Sequence, residues 1–295
     1  MAPLLRSLNI MFNPVEPDPD WVIGKYGLLN VQGELRDGRT VLEPKGWRIP
    51  FQWQGYHYQD HDDQPFLLLV NSGGGFVEGD VSHFHAMLGA KTRTLITTTA
   101  ASKFYKSIGG GCTREIVDIQ LGPDSLLEYY PDEAIPFEHS RVERITRVTM
   151  TASSRLFATD MLSAGRVHFG SGESFKFDSL LSSFEIRLDD RMLALDRLAA
   201  MTPVAVDALH RLWRGALHLA TVFVYAPDLP IVEDTVDALR GSFTETELGV
   251  SRIGNLLIVR LLSKEAWQAH EAIFSIWQAV RPGIAAKPAR PIRKC

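Results

Sequence analysis

Apolar positions follow two different periods along this chain, and the change between them divides it. From Gly24 to about Leu198 the period is two. Val81–Leu88 sets Phe84, Ala86 and Leu88 on one side and Val81, His83, His85 and Met87 on the other, the alternation of a strand. Thr113–Leu121 puts Glu115, Val117, Ile119 and Leu121 on a shared side. Val142–Met150 does the same for Val142, Arg144, Thr146, Val148 and Met150. Each strand leads through a small-residue turn ("GAKT", "GPDS", "TASS") into a second run ("TLITTTA", "LLEYY", "RLFATDML"). The three units begin roughly 30 residues apart, a spacing that suits stacked coils or a layered β-structure. A sandwich of ordinary hairpins gives the same pattern.

After Ala200 the period becomes helical. "TPVAVDALHRLWRGALHLA" offers Thr202 as N-cap, Pro203 at the first helical position, and a stripe of Val206, Leu209, Trp213, Ala216 and Ala220. "TVFVYAP" reads as a strand. "VEDTVDALRG" reads as a short helix with Val232, Val236 and Leu239 facing inward and Gly241 closing it. Two strands follow in "ETELGVSRIGNLLIVRLLS". Ser263 is expected to cap a last helix carrying Trp267, His270, Phe274 and Trp277 on one stripe, with "RPG" as its stop. The expected organisation is an irregular N-terminal arm (1–23), a β-rich body (24–200), an α+β C-terminal portion packed on it (201–282) and a flexible basic tail (283–295).

Composition narrows the function classes. The 295 residues are 45% hydrophobic and 22% charged, enough for a sizeable core, and the net charge is −4 with a pI near 6.1. That balance argues against nucleic acid, which wants a basic face. Two cysteines, Cys112 and Cys295, make no disulfide framework and no CxxC metal site, so a reducing cytoplasm is expected. The most apolar stretch, "GALHLATVFVYAP", falls short of the roughly 20 residues of a membrane helix, and a soluble protein is expected.

The candidate chemistry is sparse. "NSGGGFVEGD" (71–80) lacks the lysine and following helix of a phosphate loop, so its glycines read as a backbone bend. "HYQDHDD" gathers His57 and His61 among acids, and His83 and His85 share a strand face. Imidazole and carboxylate suit Ni²⁺ or Zn²⁺, so these four are weak metal candidates, with a solvated loop and a polar strand face as the plain alternatives. No G-x-S-x-G elbow is present. The acids of "YYPDEAIPFEHS" (Asp132, Glu133, Glu138) are ordinary loop acids as much as an acid–base pair. The residues favour a non-enzyme; a metal-dependent hydrolase using His57, His61 and nearby acids is the alternative.

Four stretches in order, "LLLVNSGGGFVEGD", "AKTRTLITTTAASKFYKS", "LLEYYPDEAIPFEHSR" and "GRVHFGSGESF", resemble the UreD (UreH) family of urease accessory proteins over roughly residues 24 to 200. The shared marks are a glycine-rich turn ending in Gly-Asp, a Thr-rich strand running into Ala-x-Lys-x-Tyr-x-Ser, a Pro-x-Glu turn and a Gly-Arg…Gly-Glu segment. The chain departs from the family at Asn71-Ser72, where proline is common, at Glu78, where glycine is usual, at Asp132, where glutamine is usual, and in a longer Arg166–Gly172 spacing. The resemblance implies a right-handed β-helix-like body with a helical C-terminal portion. It further implies a maturation factor that binds UreF, through it the GTPase UreG, and apo-urease, with nickel as transient cargo and no tightly bound cofactor. By the same resemblance Asp80, Glu133, Glu138 and Glu173 are candidates for a nickel path, and Lys103 and Tyr105 for a partner contact.

Overall fold

The computed structural model describes residues 25–59, 63–229, 236–243 and 245–294. The arm expected over 1–23, together with His61, Val232 and Cys295, lies outside the described residues. In chain order come β1 (Tyr26–Arg36), β2 (Arg39–Arg48), β3 (Phe51–Gln52), β4 (Phe66–Asn71), β5 (Val81–Leu88), β6 (Arg93–Thr98) and β7 (Ser102–Phe104). Next are β8 (Thr113–Leu121), β9 (Leu126–Tyr129), β10 (Ala134–Pro136), β11 (Arg141–Met150), β12 (Arg155–Ser163), β13 (Gly165–Arg166) and β14 (Glu173–Ser174). The chain ends with β15 (Ser179–Leu188), β16 (Arg191–Ala200), α1 (Pro203–Leu212), β17 (His218–Tyr225), β18 (Thr246–Ile253), β19 (Leu256–Ser263) and α2 (Ala266–Ala285).

Two open sheets pack on each other. The first runs β16-β15-β11-β8-β5-β1-β2, with β15, β11, β8, β5 and β1 parallel and antiparallel strands at both edges. The second runs β18-β19-β17-β12-β9-β6-β4-β3, with β4, β6, β9 and β12 parallel. The chain alternates between them: β5, β8 and β11 lie in the first sheet, and each is followed by β6, β9 or β12 in the second. This alternation is what the repeating strand–turn–strand pattern encodes. The mainly β expectation with a helical C-terminal part therefore stands, as two open sheets and a terminal helix.

Parallel order gives the molecule two unlike poles. At one, tight turns at 89–92, 122–125 and 151–154 stack directly: Gly122 N–H donates to Leu88 O at 2.7 Å and Lys91 N–H to Pro123 O at 2.8 Å. At the other, longer connections at 72–80, 99–112, 130–140 and 164–178 carry the chain back to the first sheet. All four stretches that resemble the family meet at this loop pole.

Between the sheets lies an apolar core that includes Leu29, Phe84, Ile119, Leu127 and Phe223, with Phe184 stacked on Phe223 at 4.6 Å. A second core joins the far face of the second sheet to α2 through Phe157, Val222, Ile273, Ile276 and Trp277. Strands covered on both faces read as continuous apolar runs, hence "LLLV" and "TVFVY". Burying a side chain such as Trp277 or Phe157 contributes about 1.5–3 kcal/mol or more each. The helix is pinned by a buried ion pair. Glu128, fully buried, accepts from Trp277 Nε1 at 2.6 Å, Gln64 Nε2 at 2.6 Å and Arg281 Nε at 2.9 Å.

Some helix boundaries differ from the sequence reading. Thr202 does cap α1, accepting from Ala205 N–H at 3.2 Å, and Val206 and Leu209 are buried. The helix stops at Leu212, because Arg214 and Gly215 take positive φ (51° and 88°), and Ala220 belongs to β17 between β12 and β19. Glu265 takes the N-cap position of α2, where Ser263 was expected. That helix runs through Pro282 to Ala285, where a left-handed Ala286 ends it, so "RPG" is no stop. Trp267 is 62% exposed and stands off the buried stripe. Val236 is buried, and residues 238–241 form a turn.

Candidate functional site: a polar row beneath the loop pole

Near the loop pole the apolar core gives way to charge. Ser82, Glu115, Arg144 and Ser182 are direct register partners on β5, β8, β11 and β15, forming one polar row across the first sheet. From the second sheet Asp160 faces this row. Arg144 Nε donates to Glu115 Oε2 at 2.8 Å and its Nη1 to Asp160 Oδ1 at 2.9 Å and Ser182 Oγ at 3.2 Å. Ser102 Oγ donates to Glu115 Oε1 at 2.6 Å. Burial opposes the charge on Arg144, but Asp160 and Glu115 more than offset it and raise its pKa. Two carboxylates thus face one guanidinium. A cavity of about 140 Å³ adjoins the row, lined by Ser82, Ser102, Glu115, Thr98, Lys103 and Tyr129 and bounded by Gly74 and Gly75 of the glycine loop. Gly75 is required there: a Cβ would stand 2.6 Å from the Tyr105 ring and 2.9 Å from Lys103 O.

The six residues suggested by the family resemblance lie at this pole, in different roles. Asp80 Oδ1 accepts from Lys25 N–H at 2.8 Å and Oδ2 from Val77 N–H at 3.0 Å, closing the glycine loop as a turn acceptor. Glu173 is no solvated acid. It is buried and held below the usual carboxylate range chiefly by Arg166, whose Nε and Nη2 donate at 2.5 and 2.6 Å. Glu138 is half-buried, 3.9 Å from His139. Glu133 Oε2 meets His270 Nε2 of α2 at 2.8 Å. Burial opposes ionisation of Glu133, yet the His270 hydrogen bond brings its pKa down. Close by, His218 is 3% exposed with no partner for either ring nitrogen among the described residues, and burial pushes it down to about 4. Lys103 lines the cavity, and Tyr105 is partly exposed against the Phe137 ring.

The metal candidates are dispersed. His57 packs on the Phe66 ring at 4.9 Å, His83 Nε2 meets Asp118 at 2.8 Å, and His85 Nδ1 meets Asn30 at 3.1 Å. His83 and His85 are buried, so the polar face expected of their strand is covered. Among the described residues no three His, Cys, Asp or Glu side chains are placed to hold a metal ion. The polar row escaped notice, although its signal was present. Glu115 and Arg144 fall on the apolar side of their strands by alternation, and charges on a core-facing stripe demand a buried partner.

The described residues form a mainly β scaffold with a charged polar row beneath its loop pole. The family profile described as "UreD urease accessory protein" matches residues 25–294, and the chain belongs to that family. It is 30% identical to the urease accessory protein UreD of Klebsiella pneumoniae subsp. pneumoniae over 267 residues, covering 90% of this chain and 92% of the relative. The Klebsiella aerogenes UreD is also 30% identical over 267 residues (90% and 94%), and that of Pseudomonas paraeruginosa 29% over 249 residues (83% and 85%). These relatives are named as accessories to an enzyme, and the chain is a helper rather than an enzyme. The hydrolase alternative built on His57 and His61 is set aside on that ground. No helix among the described residues is long and apolar enough to cross a membrane.

Proposed function

We propose that this chain is a urease maturation factor, a non-catalytic scaffold that binds apo-urease and the UreF and UreG partners and helps deliver nickel to the urease active site. Family membership supports the maturation role. The observation that carries the nickel part is the acidic row Ser82–Glu115–Arg144–Ser182 with Asp160, bordering a cavity at the loop pole. Oxygen donors bind a divalent ion weakly enough to release it, and an excess of carboxylate over guanidinium leaves the row attractive to a cation. Glu115 and Asp160 join Asp80, Glu133, Glu138 and Glu173 as candidates. Asp80 and Glu173 are the weaker ones, because backbone amides and Arg166 already occupy their oxygens. Cytoplasmic action belongs to the same proposal and fits the free thiol of Cys112. So does the right-handed β-helix-like description, which the parallel order and sheet-to-sheet alternation support. A division near residue 200 into body and C-terminal portion is likewise proposed; limited proteolysis that cuts elsewhere first speaks against it.

The test is nickel-dependent activation of apo-urease with the purified accessory proteins. Glu115→Gln combined with Asp160→Asn is expected to fold, to enter the complex and to activate severalfold less than the native chain. Full activation by that variant overturns the nickel path. A native chain that neither joins a complex nor supports activation overturns the scaffold reading itself.

A further inference from the structure

We propose that Ile108 anchors a protein-docking surface, presented on a loop that Glu78 holds rigid, and that its occupant is a folded protein face with an apolar recess rimmed by carboxylates. The proposal deepens the scaffold reading and rests on it. Ile108 is 84% exposed at the tip of the 105–112 loop. Beneath it, Glu78 Oε2 accepts from Ile108 N–H and Gly109 N–H, both at 2.7 Å, and Oε1 accepts from Gly111 N–H. The glycines serve that nest: Gly110 has φ of 88°, and a Cβ on Gly111 would stand 2.9 Å from Glu78 Oε1. Three further hydrogen bonds tie the loop down. Gly110 N–H donates to Ser107 Oγ at 3.0 Å, Arg141 Nη1 to Gly110 O at 3.1 Å, and Ser107 N–H to His139 O at 2.9 Å. These hydrogen bonds close the loop whatever side chain sits at its tip. An apolar residue held in water on a preorganised loop is the arrangement of an interface anchor, because little ordering entropy remains to be lost on binding.

Val77, Tyr105 and Ile49, at other positions of the loop pole, are exposed as well. Val77 precedes Glu78, Tyr105 N–H donates to Phe76 O, and Ile49 leads into Pro50, whose carbonyl accepts from Ser72. The rim is basic in a chain of net charge −4. Among the described residues Lys103, Lys106 and Arg48 form no ion pair, whereas Glu78 is engaged by the nest, Glu173 by Arg166, and Asp178 by His139 and Arg141. An apolar centre with unpaired cations around it selects a partner face of opposite charge.

The test measures binding of the full chain to purified apo-urease and, separately, to UreF. Ile108→Glu is expected to weaken one of these about tenfold or more, as removal of a central anchor does. Glu78→Ala is expected to weaken the same contact less, with unchanged circular dichroism, and Lys103→Glu with Lys106→Glu to reduce its dependence on salt. Leu212→Glu, at a residue 72% exposed on α1, serves as control and is expected to bind as the native chain does. Native binding by Ile108→Glu overturns the docking surface while leaving the scaffold role intact. Absence of binding by the native chain overturns both. Self-association of the chain that Ile108→Glu abolishes replaces the proposed occupant by a second copy, and so overturns it too.

Discussion

The two poles of the sandwich are built from the same strands and solve opposite problems. At the turn pole the inner residues are Ala86, Leu88, Ile119, Leu121, Val148 and Met150, and the turns lie backbone against backbone. At the loop pole the same strands place Ser82, Glu115, Arg144 and Ser182 inside, and longer connections enclose a cavity. An apolar end gains stability from burial alone. A polar end must satisfy every group it buries, and it is kept where those groups serve a purpose beyond stability. Under the function proposed above, the turn pole serves folding and the loop pole the work of the protein.

The largest expected effect falls on the loop pole. Arg144→Met leaves Glu115 and Asp160 facing each other without a cation, and breaking such a buried cluster costs about 3–5 kcal/mol. A denaturant midpoint that hardly moves would mean that the row is hydrated and does no structural work. The counterpart at the turn pole is Gly122→Ala. Its Cβ would stand 2.7 Å from Ala90 N and Gly89 C, so the stacked turns must part, at about 1–3 kcal/mol. Activation of urease per folded molecule is expected to keep its native value in that variant. Reduced activation there would erase the division of labour.

Acid separates the poles next. His218, with an ordinary value of 6.5, is held at about 4 in the folded chain by burial, with Glu133, Glu265, His270 and His168 around it. The unfolded chain therefore takes up this proton first as pH falls. The contribution of His218 to stability is complete above about pH 6.5 and drains away between there and about pH 4. Unfolding free energy measured across that range should fall, and His218→Phe should flatten the fall. Glu133, whose pKa is lowered, loses its contribution in the same direction as acid protonates it. A native chain with no slope between pH 6.5 and 4 would show that His218 is solvated.

The turn pole was legible in the sequence and the loop pole only in part. Period-two alternation located β5, β8 and β11, and small-residue turns located their partners, because each signal is local. The resemblance picked out the segments that meet at the loop pole. What they do there depends on contacts across sheets, such as Arg144 with Asp160 or Glu133 with His270, and no local period encodes those. The end of α1 was missed because an apolar stripe continues past Leu212 on residues that belong to a strand. Tertiary pairing of β17 between two neighbours overrides the helical period.

The smallest prediction compares one hydroxyl at each pole. Ser153 Oγ accepts from Asp124 N–H at 3.0 Å in an exposed turn, where water replaces the lost bond, so Ser153→Ala should cost about 0.5 kcal/mol. Ser102 Oγ donates at 2.6 Å to a largely buried carboxylate, and hydrogen bonds to charged groups contribute about 1.5–3 kcal/mol. Ser102→Ala also bares Glu115 Oε1 toward the cavity, changing a group on which the proposed cation path depends. Chemical denaturation of the two variants, with urease activation measured beside it, decides the matter. Both quantities should move for Ser102→Ala, whereas Ser153→Ala should show only the smaller stability loss and unchanged activation. Equal stability losses with unchanged activation in both would reduce the polar row to ordinary packing.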